Sequence, residues 1–278
     1  MARIRILTDS TADLPADLAR QLEITVVPAY VQMDGQSLRD GEQITRAEFY
    51  RRLPTLTDLP TTATPSAHEF AQAFRRLAGQ ADEVIAILLS ASLSGLFNAA
   101  RLGAEEVPDL RIHLVDSRQL AMGLGWQVIL AAEAAAAGAS AAEIVHLLEG
   151  ARPRIRILAL LDTLTYLRRS GRLAWPRALA ARLLHIKPLL GFYEGEATLV
   201  GMARTRRKGL ARLMEMIAAL GRFERLALVH TQAPDVASFR HMLSTIFPPE
   251  QTLTSEVGPI VGTHIGPGAL GIAAIIAA

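Results

Sequence analysis

The 278-residue chain is half hydrophobic and carries 29 basic against 27 acidic residues, a net charge of +2 at pH 7. That balance gives no global case for a nucleic-acid binder, and a chain this long can bury a large core and form two domains. The absence of cysteine excludes disulfides, thiolate zinc sites and a cysteine nucleophile, and fits a reducing compartment.

The N-terminal M-A-R-I-R-I-L-T-D-S shows no long apolar segment before a cleavage site, so no signal peptide is expected. Residues 3–8 predict a first strand that ends at Thr8-Asp9-Ser10, and a helix follows with Pro15 near its first position. Residues 24–31 predict a second strand, interrupted by Pro28. Residues 33–45 predict a loop with an Asp34-Gly35 turn, and Thr45 with Glu48 makes a capping box for a short helix. Next comes P-T-T-A-T-P-S at residues 60–66, in which the threonines before Pro65 are held extended. Ser66 and Glu69 have capping-box spacing for a helix through Phe70, Phe74 and Leu77.

Residues 84–89 are an apolar run of the kind that parallel sheets bury on both faces. They lead into S-A-S-L-S-G at 90–95 and then a helix. A strand that turns into a helix through small hydroxylated residues gathers hydroxyls and unpartnered backbone N–H groups at one point, and such a point attracts anions. Residues 112–116 predict another strand, and a long alanine-rich helix runs to about residue 137. The bland stretch 131–142 carries Glu133 and is helix-like rather than membrane-like. Strand and helix in this alternation predict a parallel sheet covered on both faces, with ligands at the carboxyl ends of its strands. The 8–10, 90–95 and 116–117 segments all fall at such ends.

After a helix over residues 140–150 the pattern changes, and a domain boundary is expected at about residue 152. The expected organisation is an N-terminal three-layer α/β/α domain (1–152) with a mainly parallel sheet, then a C-terminal α+β domain (153–278) with a mixed or antiparallel sheet. Residues 155–161 predict a strand, and 164–172 a short helix closing at Gly171. Residues 186–193 and 197–203 predict a β-hairpin. A helix over 205–220 places Arg206, Arg207 and Lys208 in its first turn, where the helix dipole disfavours cations. A strand, a helix and a strand lead to the glycine-rich 258–271, and a last apolar strand closes the chain. His264 sits there among Gly262, Gly266 and Gly268, where glycine permits close backbone approach. No histidine spacing suggests a metal, and neither a P-loop nor G-x-G-x-x-G occurs. Ser92-Leu93-Ser94-Gly95 lacks the first glycine of a nucleophile elbow.

Together these segments resemble the DegV family. The resemblance rests on T-D-S-T-A-D-L-P at 8–15, T-A-T-P-S at 62–66, L-S-G at 93–95, V-D-S-R-Q-L-A-M-G-L-G at 115–125, Y-L-R-R-S-G-R at 166–172, A-R-T-R-R-K at 203–208 and G-P-I-V-G-T-H-I-G-P-G-A at 258–269. It implies a cytoplasmic, bacterial lipid-binding protein that holds a long-chain fatty acid, such as palmitate, stearate or oleate, between two domains. The carboxylate would be presented to the ATP-binding subunit of a fatty acid kinase, giving an acyl phosphate as phospholipid precursor. Neither catalysis by this chain nor a cofactor or metal is implied, and transient membrane contact is compatible with such a role. Carboxylate-binding positions fall on Thr62, Ser94 and Gly95, with His264 nearby, while Ser92, Arg172 and Arg204 resemble positions near the site or facing the partner. Two departures from the family pattern are Ala63-Thr64 in place of Ser-Gln, and Leu96-Phe97 in place of Thr-Tyr.

The alternative is an acyl- or phosphoryl-transfer enzyme using Ser94 or His264, but no base partner or nucleotide loop accompanies them. A nucleic-acid role for residues 204–208 is a third reading, against which a solvated helix face stands as the simpler one. Physically, an apolar tunnel gains about 0.8 kcal/mol per buried methylene. Uncharged donors at its end would limit the desolvation cost of the carboxylate and leave it nucleophilic, whereas a bidentate arginine would hold it tightly.

Overall fold

A computed structural model describes residues 2–171 and 186–278. The first half is built on a four-stranded parallel sheet of order β2-β1-β6-β7, from β1 (Ile4–Asp9), β2 (Thr25–Val27), β6 (Glu83–Leu88) and β7 (Arg111–Asp116). Its strands are buried on both sides because alternate residues serve two cores. Ile6, Ile85 and Ile87 face one, while Leu7, Val84, Ala86 and Leu88 face the other. Helices α3 (Ala67–Ala78) and α4 (Leu96–Glu105) cover the second face. Helices α1 (Ala16–Gln21) and α5 (Ala121–Ala136) cover the first.

Residues 24–31 differ from the single strand expected. After β2 the chain bends at Pro28 and enters a separate three-stranded antiparallel sheet, order β4-β3-β5. Its members are β3 (Tyr30–Met33), β4 (Gln36–Arg39) and β5 (Thr61–Ala63). Proline has no N–H for the ladder, so the bend falls where pairing stops. The Asp34-Gly35 turn forms, yet the residues after it pair back on β3 rather than looping free. Between β4 and β5 lies α2 (Arg46–Arg52), capped by Thr45.

The second half has a six-stranded mixed sheet, order β10-β9-β8-β13-β11-β12. It contains β8 (Ile155–Leu160), β9 (Lys187–Tyr193), β10 (Glu196–Ala203), β11 (Phe223–His230), β12 (Thr252–Glu256) and β13 (Leu270–Ile276). Only β11 and β12 pair in parallel. Helices α8 (Arg206–Ala218) and α9 (Val236–Leu243) cover one face. The opposite face packs on α5, which follows β7 in the chain, so a single core joins Ile6, Ile87, Trp126, Ile157, Phe192 and Ala273. The Trp126 indole N–H donates to the Ala273 carbonyl of β13 at 2.9 Å. Among the described residues three further helices occur: α6 (Ala141–Ala151), α7 (Thr165–Ser170) and α10 (Pro259–Ile265). The last falls in the glycine-rich 258–271, for which the sequence predicts no element. Among the described residues no helix is long and apolar enough to cross a membrane.

Candidate functional site

Where the first sheet's strands end, the second sheet's inner face stands opposite, and a cavity lies between them. It holds about 1060 Å³ of non-atom space, its mouth included. The first half supplies Thr11, Leu93, Ser94 and Leu120, and Thr62 comes from β5. The second sheet supplies Ile157, Leu190, Phe192 and Val229, while α10 adds Ile260, Val261, His264 and Ile265. Among the described residues no aspartate, glutamate, lysine or arginine lines this cavity, and its polar side chains are Thr11, Thr62, Ser94 and His264.

Thr62 is held by strand pairing with Val31, and its Oγ1 lies 3.3 Å from His264 Nε2. Those two residues are 202 positions apart in sequence. Ser94 precedes Gly95, the N-cap of α4, and its Oγ accepts the Leu96 N–H at 3.3 Å. The Ser94 proton is therefore not used by that bond. Thr11 differs, because its hydroxyl and its N–H both donate to the buried Asp9 carboxylate, which also accepts the Leu89 N–H at 2.8 Å. Burial pushes the Asp9 carboxyl above its ordinary pKa despite those donors. With its proton committed to Asp9, Thr11 offers the cavity no donor.

A second, polar recess meets the first at Thr62 and His264, and is otherwise lined by residues such as Asp58, Tyr166, Arg169 and Ser170. The polar end of the apolar cavity thus adjoins a wetter one.

The remaining sequence candidates lie elsewhere. Gly95 is exposed and does not line the cavity. Ser92 lies outside the lining too. Its hydroxyl donates to the Gly195 carbonyl at 2.7 Å and so fastens the β9–β10 turn to the 90–92 loop. Arg204 is exposed between β10 and α8, while Arg172 lies outside the described residues. Arg206, placed where the α8 dipole opposes it, is compensated by a two-pronged pair with Asp235 at 2.6 Å and by donating to the Gly268 carbonyl at 2.7 Å. Among the described residues no group of three or more His, Asp or Glu could hold a metal ion.

Comparison with known proteins adds to this geometry. A sequence profile described as an uncharacterised protein of the DegV family matches residues 3–277. A DegV domain-containing protein of Deinococcus radiodurans is 37% identical over 276 residues, covering 97% of each chain. A solved structure described as fatty acid binding of a DegV family protein from Thermus thermophilus superposes with a TM-score of 0.91 at 34% identity. It covers 99% of this chain and 100% of that one. DegV of Bacillus subtilis, described as a fatty acid binding protein, superposes with a TM-score of 0.90 at 30% identity and covers 100% of both chains.

Proposed function

The chain belongs to the DegV family, and on that footing we propose that it binds a long-chain fatty acid in the cavity between its two sheets. The observation that carries this reading is an apolar lining that includes the polar side chains Thr62, Ser94 and His264 and, among the described residues, no aspartate, glutamate, lysine or arginine. Acyl methylenes entering such a lining gain about 0.8 kcal/mol each. A carboxylate desolvated there needs donors, and two hydroxyls supply them. In the tautomer that carries its proton on Nε2, His264 donates to Thr62 Oγ1 and leaves the Thr62 proton free to point at the carboxylate. An arginine clamp would bind more tightly but would hold the oxygens against further reaction.

The finer part of the proposal is that this chain is a carrier. It presents the carboxylate, at the polar recess beside Thr62 and His264, to a separate ATP-dependent fatty acid kinase. The acyl phosphate is then formed by that partner and not by Ser94 or His264. The exposed Arg204, Arg207 and Lys208 are assigned to the partner-facing surface, and the two halves on either side of residue 152 act as domains that enclose the lipid.

The decisive experiment is lipid extraction and mass spectrometry of the purified protein, followed by incubation with ATP and palmitate with and without a fatty acid kinase subunit. A long-chain fatty acid near one per chain, and acyl phosphate only with the kinase, are expected. No bound fatty acid and no uptake of added palmitate or oleate would overturn the binding reading. Product formed by this chain alone would overturn the carrier reading.

A further inference from the structure

Helix α10 brings Ile260, Val261, His264 and Ile265 to the cavity, yet it is only seven residues long. A helix of that length does not hold itself and must be fixed by its surroundings. We propose that Asp13 is a positioning residue for the polar end of the cavity: its buried carboxyl group fixes the start of α10, and through it the place of His264.

The attachment is direct. The Gly258 N–H, at the N-cap of α10, donates to Asp13 Oδ1 at 2.7 Å, and the Ser255 hydroxyl donates to the Asp13 carbonyl. Beside them the Tyr50 hydroxyl donates to the Val257 carbonyl at 2.8 Å. The fit leaves no slack. A Cβ at position 258 would lie 2.9 Å from Asp13 Oδ1 and 3.3 Å from Asp40 Oδ2, and one at position 262 would lie 2.5 Å from the Tyr50 oxygen. Asp13 itself adopts a left-handed backbone, φ 53°, which is uncommon for a non-glycine residue and places its carboxylate under Gly258.

The same carboxylate is pH-sensitive. Facing it are Asp9 at the end of β1, Asp40 after β4, and Arg46 and Tyr50 of α2, with Glu256 of β12 and His230 of β11 beyond. Arg46 is the one cation named among them and stands 4.0 Å from Asp13 Oδ1. Burial above all, with Asp40 and Asp9 adding to it, pushes the Asp13 carboxyl up to about 8 despite Arg46 and the Gly258 N–H. At neutral pH the acid is therefore largely protonated and its carbonyl oxygen holds Gly258. Ionisation above that range places a buried charge under α10.

The binding readout rests on the fatty-acid reading, whereas hydrogen exchange does not. Asp13→Ala, Asp13→Asn and wild type are compared by displacement of a fluorescent fatty acid from pH 6 to 9, and by amide exchange over residues 258–266. Asp13→Ala is expected to weaken binding about tenfold at pH 7, as loss of a buried hydrogen-bond partner implies. It should also speed exchange over 258–266 more than elsewhere. Asp13→Asn, which keeps the acceptor and cannot ionise, is expected to stay within about twofold of wild type at pH 7 and to hold its affinity up to pH 9, where wild type weakens. Should Asp13→Ala fail to fold, Gly258→Ala replaces it and is expected to loosen the same segment. Unchanged exchange over 258–266 in the alanine variant, an asparagine variant as impaired as the alanine one, or parallel pH profiles for asparagine variant and wild type would each overturn the proposal. If wild type binds no fatty acid, the functional reading fails, and the exchange arms still decide the role of Asp13.

Discussion

Among the described residues, three hydroxyls line the cavity with different capacities. Thr11 spends its proton on Asp9, Thr62 meets His264, and Ser94 accepts a backbone N–H while keeping its own proton. On the proposed reading, a carboxylate at this end draws on Thr62 and Ser94. Thr62→Ala and Ser94→Ala are each expected to weaken fatty acid affinity by about 1–2 kcal/mol without altering the unfolding midpoint by more than a few degrees. Isothermal titration with palmitate checks the first figure and thermal melts the second. An unchanged affinity would remove the residue from the site. Ser94 stands out in the sequence as a hydroxyl at a strand end, whereas Thr62 is singled out only through the family resemblance. Asp13 was not legible as an anchor, since its partner Gly258 lies 245 residues away and only packing brings them together. Thr11 was equally hidden, because nothing local marks which of T-D-S-T points inward.

At the scale of elements, local chemistry was a sound guide wherever an end was marked by side chains. Ser66 with Glu69 forms the full capping box expected of its spacing, and Ser140 with Glu143 forms another. Thr45 caps α2 without the expected return bond, because Glu48 turns to Arg52, and Thr205 caps α8. Ser140 lies outside the cavity lining, so its box can be tested without disturbing binding. Ser140→Ala is expected to cost about 0.5–2 kcal/mol in urea unfolding while fatty acid affinity stays as it was. Elements without such markers were harder to see. Helix α10 has Gly262 inside it and Gly258 and Gly266 as its caps, and the sequence predicts no helix there. The glycines are required because Asp13, Tyr50 and the Tyr166 ring approach the backbone at those points. The division of residues 24–31 between two sheets depends on what lies beside each half, and a single strand pattern carries no such information.

For the molecule as a whole, the buried acids set how stability varies with pH. Asp13 and Asp40 have folded-state values raised to about 8 and about 6 from an ordinary 3.8, burial being the main cause. A carboxyl raised on folding binds more protons folded than unfolded. Its contribution is complete below the unfolded value and is lost as pH climbs through the folded one. Scanning calorimetry is expected to give one transition whose midpoint falls between pH 6 and 9, with the fall smaller in Asp13→Asn. A midpoint that rises over that range would refute the assignment. A single transition follows from α5, on which both sheets rest through the core that includes Trp126 and Ala273.

That shared helix also restricts how cargo could come and go. The molecule cannot swing open like the covers of a book, because its spine is the middle of its own interior. On the proposed reading a lipid enters instead at the rim of the cavity, where α7, α10 and the strands flanking the β9–β10 turn line it. There a few contacts, such as Ser92 with Gly195, can part while the remainder of the protein stands still.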